Sequence, residues 1–215
     1  MARRFGLEDT RTHETPIETG FEISESDFVE DPREEMITMY RSLIGSIGYA
    51  AVTVRFDVSY ALSVLSRHLS RPNARLIAAV KRVVKCLMHT KDLGITWSIS
   101  DVLFGEVEVN FAMCKLTRRS HFGYTSFLNR GLISWKSKLQ SIVTLSSVES
   151  EYVALCDLTW EVRYLRQLAK GLGFEQKEPT ICYEDNKAAI MTAENECSAA
   201  VLTKALVPKK HKDAI

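Results

Sequence analysis

The hydrophobic periodicity of this chain changes once, after Gly94, and this change limits its fold more than any other feature. Before Gly94, apolar residues recur at helical spacing, as in the set Tyr40, Leu43, Ile44 and Ile47. After it, short segments alternate between apolar and polar residues, which is typical of strands with one buried face. We therefore predict a small helical subdomain followed by a mixed sheet with flanking helices, an α+β or α/β fold.

Four segments follow from this pattern. Residues 1–35 lack hydrophobic periodicity and predict an extended acidic arm with little core of its own. Residues 36–92 predict the helical subdomain, in which Asn73 is placed to cap the third helix. Residues 93–194 predict the sheet-containing domain, and residues 195–215 a weakly patterned basic tail.

The sheet-containing domain has a definite order of predicted elements. Strands are expected at Leu93–Ile99, Val102–Phe111, Phe122–Leu128, Leu132–Lys138 and Thr180–Glu184. The third and fourth of these form a hairpin around Asn129-Arg130-Gly131, where Gly131 is expected to supply a positive φ. A capping box, Ser146 with Glu149 three residues later, opens a long helix that runs to Lys170. A short helix is expected over Asn186–Glu194.

The distribution of charge bears on possible partners. The net charge of +1 combines an arm with four Arg and eleven carboxylates with a remainder that carries an excess of eight positive charges. This asymmetry suits a nucleic-acid partner, and it is also consistent with two solvated surfaces of opposite sign. No membrane segment is predicted, because the longest uncharged run, Ser42–Val54, is too short to cross a bilayer. Five scattered cysteines predict reduced thiols and an intracellular location, cytoplasmic or nuclear.

Several carboxylates are candidates for binding a divalent metal ion. Glu106, Glu108 and Asn110 alternate with apolar residues and so share one face of a strand, which is either a solvated face of the sheet or part of a metal site. On the long helix, Glu151 falls within the apolar stripe whereas Glu149 lies opposite it and has a sufficient role in the cap. Glu151 either meets a cation or lies at the edge of the stripe, where its carboxylate reaches water. Asp185, between a strand and a helix, either caps that helix or binds metal. Carboxylates that converge from neighbouring strands and a helix are what two Mg²⁺ ions require.

Several long motifs stand in a consistent order along the chain: Tyr40–Ser46, Ser59–Arg67, Thr117–Ser120, Ile133–Lys138, Leu145–Tyr152 and Tyr183–Asn186. Together they resemble the C-terminal part of the Pol polyprotein of copia-type LTR retrotransposons. The segments Tyr40–Ser46 and Ser59–Arg67 resemble the helical connection that follows the reverse-transcriptase palm. Four further segments resemble the RNase H domain of the family: Thr117–Ser120, Ile133–Lys138, Leu145–Tyr152 and Tyr183–Asn186. The resemblance implies an RNase H-like fold and two-metal cleavage of RNA in RNA–DNA hybrids, with Mg²⁺ as cofactor.

The resemblance also assigns residues. It implies that Glu108, Glu151 and Asp185 are the catalytic and metal-binding carboxylates. Where the family has Ser-Asp-Ala-Asp-Trp, this chain has Val107-Glu108-Val109-Asn110-Phe111, so one ligand is a methylene longer and its neighbour is uncharged. Lys210-His211-Lys212-Asp213 imitates the motif that carries the fourth carboxylate, but Val201–Leu206 resembles the extreme C-terminus, which implies that an intervening stretch is missing.

Three functional hypotheses follow. The first is a degenerate Pol fragment with an RNase H-like domain of impaired or lost catalysis and, since the palm is not represented, without polymerase activity. The second is a non-catalytic remnant that binds RNA–DNA hybrid or other nucleic acid weakly through Arg118, Arg119, Trp135, Lys136 and Lys138. The third is a relic without a cellular role. The remainder of a Pol polyprotein is a further expected partner, and no membrane partner is expected.

Overall fold

The computed structural model describes residues 2–8, 11–24, 31–98 and 102–195, and the backbone of residues 206–210. The chain divides into two compact units, residues 1–94 and 95–215. Within the described ranges, no helix combines the length and the hydropathy needed to span a membrane. The predicted α+β class is confirmed: helices and a mixed sheet are both present.

The first unit is built on three helices: α1 (Glu34–Thr53), α2 (Ser59–Leu65) and α3 (Ala74–His89). The predicted cap of α3 is confirmed, because the Asn73 side chain accepts a hydrogen bond from Leu76 N at 2.7 Å. The apolar stripes that the sequence shows face inward and form one core, whose largest fully buried members include Tyr40, Leu43, Ile47, Leu65 and Leu76.

The N-terminal segment, for which the sequence predicts an extended arm, packs against this helical core. Leu7 is buried in it, and Phe5, Ile17 and Phe21 are partly buried against it. Spaced apolar residues thus attach an otherwise acidic segment to the helices, and the full burial of a side chain such as that of Leu7 contributes about 1.5–3 kcal/mol.

The second unit contains a five-stranded sheet in the order β3-β2-β1-β4-β5. The strands are β1 (Phe104–Asn110), β2 (His121–Leu128), β3 (Gly131–Leu139), β4 (Thr180–Glu184) and β5 (Leu206–Lys210). β2 is antiparallel to both β1 and β3, whereas β4 is parallel to β1 and to β5. The carboxyl ends of β1, β3 and β4 therefore meet at one edge of the sheet, the edge that is formed by the ends of the strands and not by an outer strand.

The hairpin of β2 and β3 is confirmed, but the predicted role of Gly131 is wrong. The positive φ values belong to Asn129 (56°) and Arg130 (54°), the two residues of the turn. Gly131 begins β3, where a Cβ atom would lie 1.9 Å from the Trp97 indole ring. Glycine is therefore needed for close approach and not for backbone conformation.

The strand predicted over Leu93–Ile99 is also wrong for its described part, residues 93–98, which form no ladder. Ser98 N donates to Asn129 O at 2.7 Å, so the segment is held by the β2–β3 turn through isolated bonds. Conversely, Leu206–Lys210 lies in the tail for which no regular structure is predicted, yet it forms edge strand β5. Without β5, the outer edge of β4 would leave its backbone N–H and C=O groups unpaired. Because β5 pairs with these groups through its own backbone, the pairing does not depend on a periodic sequence.

Helix α4 (Ser147–Gly171) covers one face of the sheet. Its buried stripe, Ala154, Leu155, Leu158, Val162 and Leu165, joins Val107, Phe122, Tyr124 and Cys182 in the second core. The predicted cap is confirmed: Ser146 Oγ accepts from Glu149 N at 3.1 Å, and the Glu149 carboxylate accepts from Leu145 N at 2.7 Å. The short helix α5 (Lys187–Glu194) follows β4.

Candidate metal centre

The candidate site lies at the edge of the sheet where β1, β3 and β4 end. Since α4 begins shortly after β3 and α5 begins after β4, both helices start at this same edge. Gln140, just beyond β3, fixes the first turn of α4, because its Nε2 donates to Ser150 O at 2.8 Å. This bond links the start of α4 to the end of β3, next to Glu151.

Glu151 points inward, as its position in the helical period predicts. Its side chain is buried, and its Oε2 has no hydrogen-bond partner among the described residues. Glu149, two residues earlier, is exposed and serves the cap. The predicted directions of these two side chains, Glu151 inward and Glu149 outward, are therefore confirmed. Metal binding by Glu151 stays a prediction.

Asp185 does not cap α5, although its sequence position allows that role. The cap is Asn186, whose Oδ1 accepts from Ala188 N at 3.0 Å and from Ala189 N at 3.1 Å. Because Asn186 satisfies these amides, the carboxylate of Asp185 is not needed for the helix. The capping alternative for Asp185 is wrong.

Glu184 is the site residue that the sequence analysis did not assign. It is fully buried at the end of β4; one carboxylate oxygen accepts from Asn186 N at 2.9 Å, and Oε2 has no partner in the described part of the chain. The signal was present in the sequence. Thr180, Cys182 and Glu184 alternate along β4, and the two preceding members of this row face the core.

The structure brings three carboxylates together. Ligand oxygens of Glu151, Glu184 and Asp185 all lie within 4.8 Å of one another. Two of these residues are buried and Asp185 is exposed, so the cluster has one side open to solvent. We refer to Glu151, Glu184 and Asp185 as the carboxylate trio.

The electrostatics of the trio reflect negative charge held out of water. Burial, followed by the charges of Glu184, Asp185 and Glu108, raises the pKa of Glu151 to about 8. Burial also raises the pKa of Glu184 to about 7, together with the interactions with Asp185 and the charge of Glu108, against the opposing hydrogen bond from the Asn186 amide. A divalent cation would relieve both the repulsion and the loss of hydration.

The donor set fits such an ion. Hard cations such as Mg²⁺ and Mn²⁺ take carboxylate oxygens as ligands. The buried, unpartnered oxygens of Glu151 and Glu184 are costly unless something compensates them. The residues present therefore fit a divalent cation.

Glu108 lies close to the trio without belonging to it. β1 and β4 run parallel with Glu106 beside Tyr183, and continuing this register by two residues places Glu108 beside Asp185. Glu108 is exposed, and its charge acts on both buried glutamates. Its role as a ligand stays a prediction. Asp213 lies outside the described residues.

The five residues predicted to bind nucleic acid are placed differently. Lys138 is the second-to-last residue of β3, and Arg118 and Arg119 lie in the loop between β1 and β2. All three lie at the same edge of the sheet as the trio. Lys136 donates to the Asp157 carboxylate of α4 at 2.9 Å and lies over the Tyr124 ring. Trp135, its neighbour in the strand, is half-buried and points to the opposite face. The edge thus gathers three of the five predicted residues.

Comparison with known proteins gives the relationship of the chain. It is 32% identical over 199 residues to the retrovirus-related Pol polyprotein from transposon TNT 1-94 of Nicotiana tabacum, a match that covers 91% of this chain and 15% of that protein. The corresponding polyprotein from transposon RE1 of Arabidopsis thaliana is 32% identical over 160 residues, 74% of this chain and 11% of that protein. By sequence, this chain is a relative of the retrovirus-related Pol polyproteins of transposons.

The chain therefore corresponds to only a small part of the length of these Pol polyproteins. A further relative is much shorter: the secreted RxLR effector protein 161 of Plasmopara viticola is 38% identical over 128 residues, 59% of this chain and 90% of that protein. No protein-family model matches the chain. No solved structure matches it.

Proposed function

We propose that this chain is a degenerate fragment of the C-terminal part of a copia-type Pol polyprotein, with an RNase H-like domain that binds Mg²⁺ at the carboxylate trio. Its substrate class is RNA in RNA–DNA hybrids, and its catalysis is impaired. The single observation that carries the metal-binding part is the convergence of Glu151, Glu184 and Asp185 within 4.8 Å at the edge of the sheet.

The arrangement supports this proposal in two ways. The trio joins a helix to the end of a strand, and the adjacent strand contributes the nearby charge of Glu108, so non-local elements hold the carboxylates in place. The cations Arg118, Arg119 and Lys138 lie at the same edge, where they would contact phosphates without reading sequence. When bound, divalent cations stabilise the attacking and leaving oxygens of a phosphodiester.

The protein side chains explain why catalysis would be impaired. Glu108 is longer than an aspartate by one methylene, and a shift of about 1 Å at a reacting centre costs on the order of 10²-fold in rate. Asn110, on the same face of β1, carries no charge with which to hold a second cation. Metal binding is therefore expected to persist where turnover does not.

Calorimetric titration of the purified chain with Mg²⁺ and Mn²⁺ tests the binding. We expect one divalent ion to bind and to raise the melting temperature, and binding to be lost in Glu151→Gln and Glu184→Gln. Glu149→Gln is the matched control, because it removes the same charge two residues away on the same helix. The Gln side chain can still accept the capping hydrogen bond from Leu145 N.

Hydrolysis of a labelled RNA–DNA hybrid tests the chemistry. The expected result is little or no Mg²⁺-dependent product. Rapid cleavage by the unmodified chain that Asp185→Asn abolishes would show that catalysis is intact.

In the calorimetric titration, equal Mg²⁺ binding by Glu149→Gln and Glu184→Gln would contradict the assignment of the trio.

A further inference from the structure

The first unit contains a cavity of about 350 Å³ between the N-terminal segment and α3, outside the candidate metal centre. Its volume lies at the lower end of the range of small-molecule sites, about 300–1,000 Å³. It is lined by residues of the N-terminal segment between His13 and Phe21 and by residues of α3 between Arg75 and Lys85.

The charge of this lining is strongly one-sided. Four permanent cations face a single carboxylate, Glu18. Arg82 is the cation paired with Glu18, at 3.2 Å, whereas Lys81 and Lys85 have no ion-pair partner in the described part of the chain. The pKa of His13 reflects this excess of positive charge, because it is lowered by burial and by the charges of Arg82, Lys85 and Arg11. The cavity is therefore an attractive site for an anion.

The cavity is assembled by specific contacts and is not simply a solvated helix face. Arg82 Nε donates to Thr15 O at 3.2 Å and one of its terminal nitrogens to Thr15 Oγ1 at 3.0 Å. Cys86 Sγ donates to Glu14 O at 3.4 Å. These bonds hold a segment about 70 positions distant in sequence against α3, so the groove walls come from two parts of the chain.

The cavity lining has an apolar part and a basic part. We refer to its apolar residues, Ile17, Phe21, Ala78 and Ala79, as the apolar floor, and to Lys81 and Lys85 as the rim. The Arg75 guanidinium lies 5.0 Å from the centre of the Phe21 ring. An apolar floor with an aromatic ring suits a flat base or sugar, and the lysines of the rim suit phosphate oxygens through charge-assisted hydrogen bonds. A free inorganic anion would use only the rim.

We propose that this groove binds a nucleotide unit, either a free mononucleotide or one nucleotide of a polynucleotide strand, with its phosphate at Lys81 and Lys85 and its apolar part on Phe21 and Ile17. The site needs no divalent cation and is independent of the function proposed for the second unit.

The test uses the full chain in EDTA, with a fluorescein-labelled single-stranded oligonucleotide followed by anisotropy. We expect the double variant Lys81→Glu with Lys85→Glu to bind at least about tenfold more weakly and to reduce the salt slope by about two. The matched control, Arg71→Glu with Lys91→Glu, changes the net charge equally away from the groove and should bind within about twofold of the parent.

A variant without a charge change tests the cavity itself. Ala78→Phe fills the groove while every cation is retained, and it should also weaken binding. Circular dichroism verifies that each variant keeps its helices. Equal weakening by the two double variants, or unchanged binding by Ala78→Phe, would overturn the proposal.

Competition identifies the source of the nucleotide. Displacement of the oligonucleotide by AMP at a concentration where inorganic phosphate has no effect assigns the site to a mononucleotide. Failure of AMP to displace an oligonucleotide that remains sensitive to Lys81 and Lys85 assigns it to a strand. Equal displacement by AMP and inorganic phosphate would contradict the role of the apolar floor.

Discussion

The carboxylates of Glu151 and Glu184 lie within 4.8 Å of each other although both residues are buried, and each has one oxygen without a hydrogen-bond partner in the described structure. One comes from the first turns of α4 and the other from the last residue of β4. Two like charges in this position destabilise the metal-free protein. The pair therefore predicts both a pH-dependent stability and the binding of a cation.

The metal-free protein should lose stability as the pH rises from about 5 to 8. The pKa values of about 8 for Glu151 and about 7 for Glu184 are above those of an unfolded chain, so the folded state holds protons that the unfolded state releases. Glu151→Gln removes one of these protonation sites and should stabilise the protein at pH 8 by at least about 1 kcal/mol, or about 2–4 °C. Thermal melts in EDTA at a series of pH values measure this. A variant whose melting temperature follows that of the parent at every pH would refute the assigned environment of Glu151.

The cap of α5 should belong to Asn186 and not to its neighbour. Asn186→Ala removes the acceptor of two backbone amides and should cost about 1 kcal/mol of unfolding free energy. Asp185→Ala removes a charge from the trio and should leave the metal-free protein equally or more stable. Urea unfolding in EDTA compares the two variants, and the reverse order of their stabilities would restore Asp185 as the cap.

Restoring aspartates on β1 should strengthen metal binding. Glu108→Asp with Asn110→Asp shortens one side chain and adds one negative charge beside the trio, and we expect Mg²⁺ affinity to rise about tenfold. Calorimetric titration measures the change, with Glu106→Asp as the control on the same strand face. We do not expect full turnover from this variant, because the resemblance to copia-type Pol implies a fourth carboxylate that Asp213 only imitates. Weaker Mg²⁺ binding by the double variant would argue against a role for Glu108 in the site.

The ion pair between Arg55 and Asp57 should be important for the first unit. Arg55 is buried, and its guanidinium donates to both oxygens of Asp57, at 2.8 and 2.7 Å, and to Thr90 O at 3.1 Å. Asp57→Ala leaves a buried cation without its carboxylate and should cost about 3 kcal/mol. Urea unfolding followed by circular dichroism measures this loss. Asp92→Ala, which removes an exposed carboxylate of the same unit, should change the unfolding free energy by less than about 0.5 kcal/mol.

Local patterns were sufficient for much of the fold. The caps at Asn73 and Ser146, the hairpin of β2 and β3, and the span Thr180–Glu184 all follow from residues close in sequence, because hydrogen bonds of caps and turns are made within a few positions. The inward direction of Glu151 follows from the helical period alone. These features needed no knowledge of how the elements pack.

Tertiary packing determined the remainder. Which glutamate meets Glu151, and how strongly burial raises its pKa, depends on β4 lying beside β1 and beneath α4, an arrangement between residues distant in sequence. The same is true of the indole of Trp97 against Gly131 and of the pairing of β5 with β4. The sequence therefore determined which side chains point inward, whereas only the tertiary structure decided what they meet there, because desolvation and Coulomb interactions depend on distances between elements and not on periodicity along one of them.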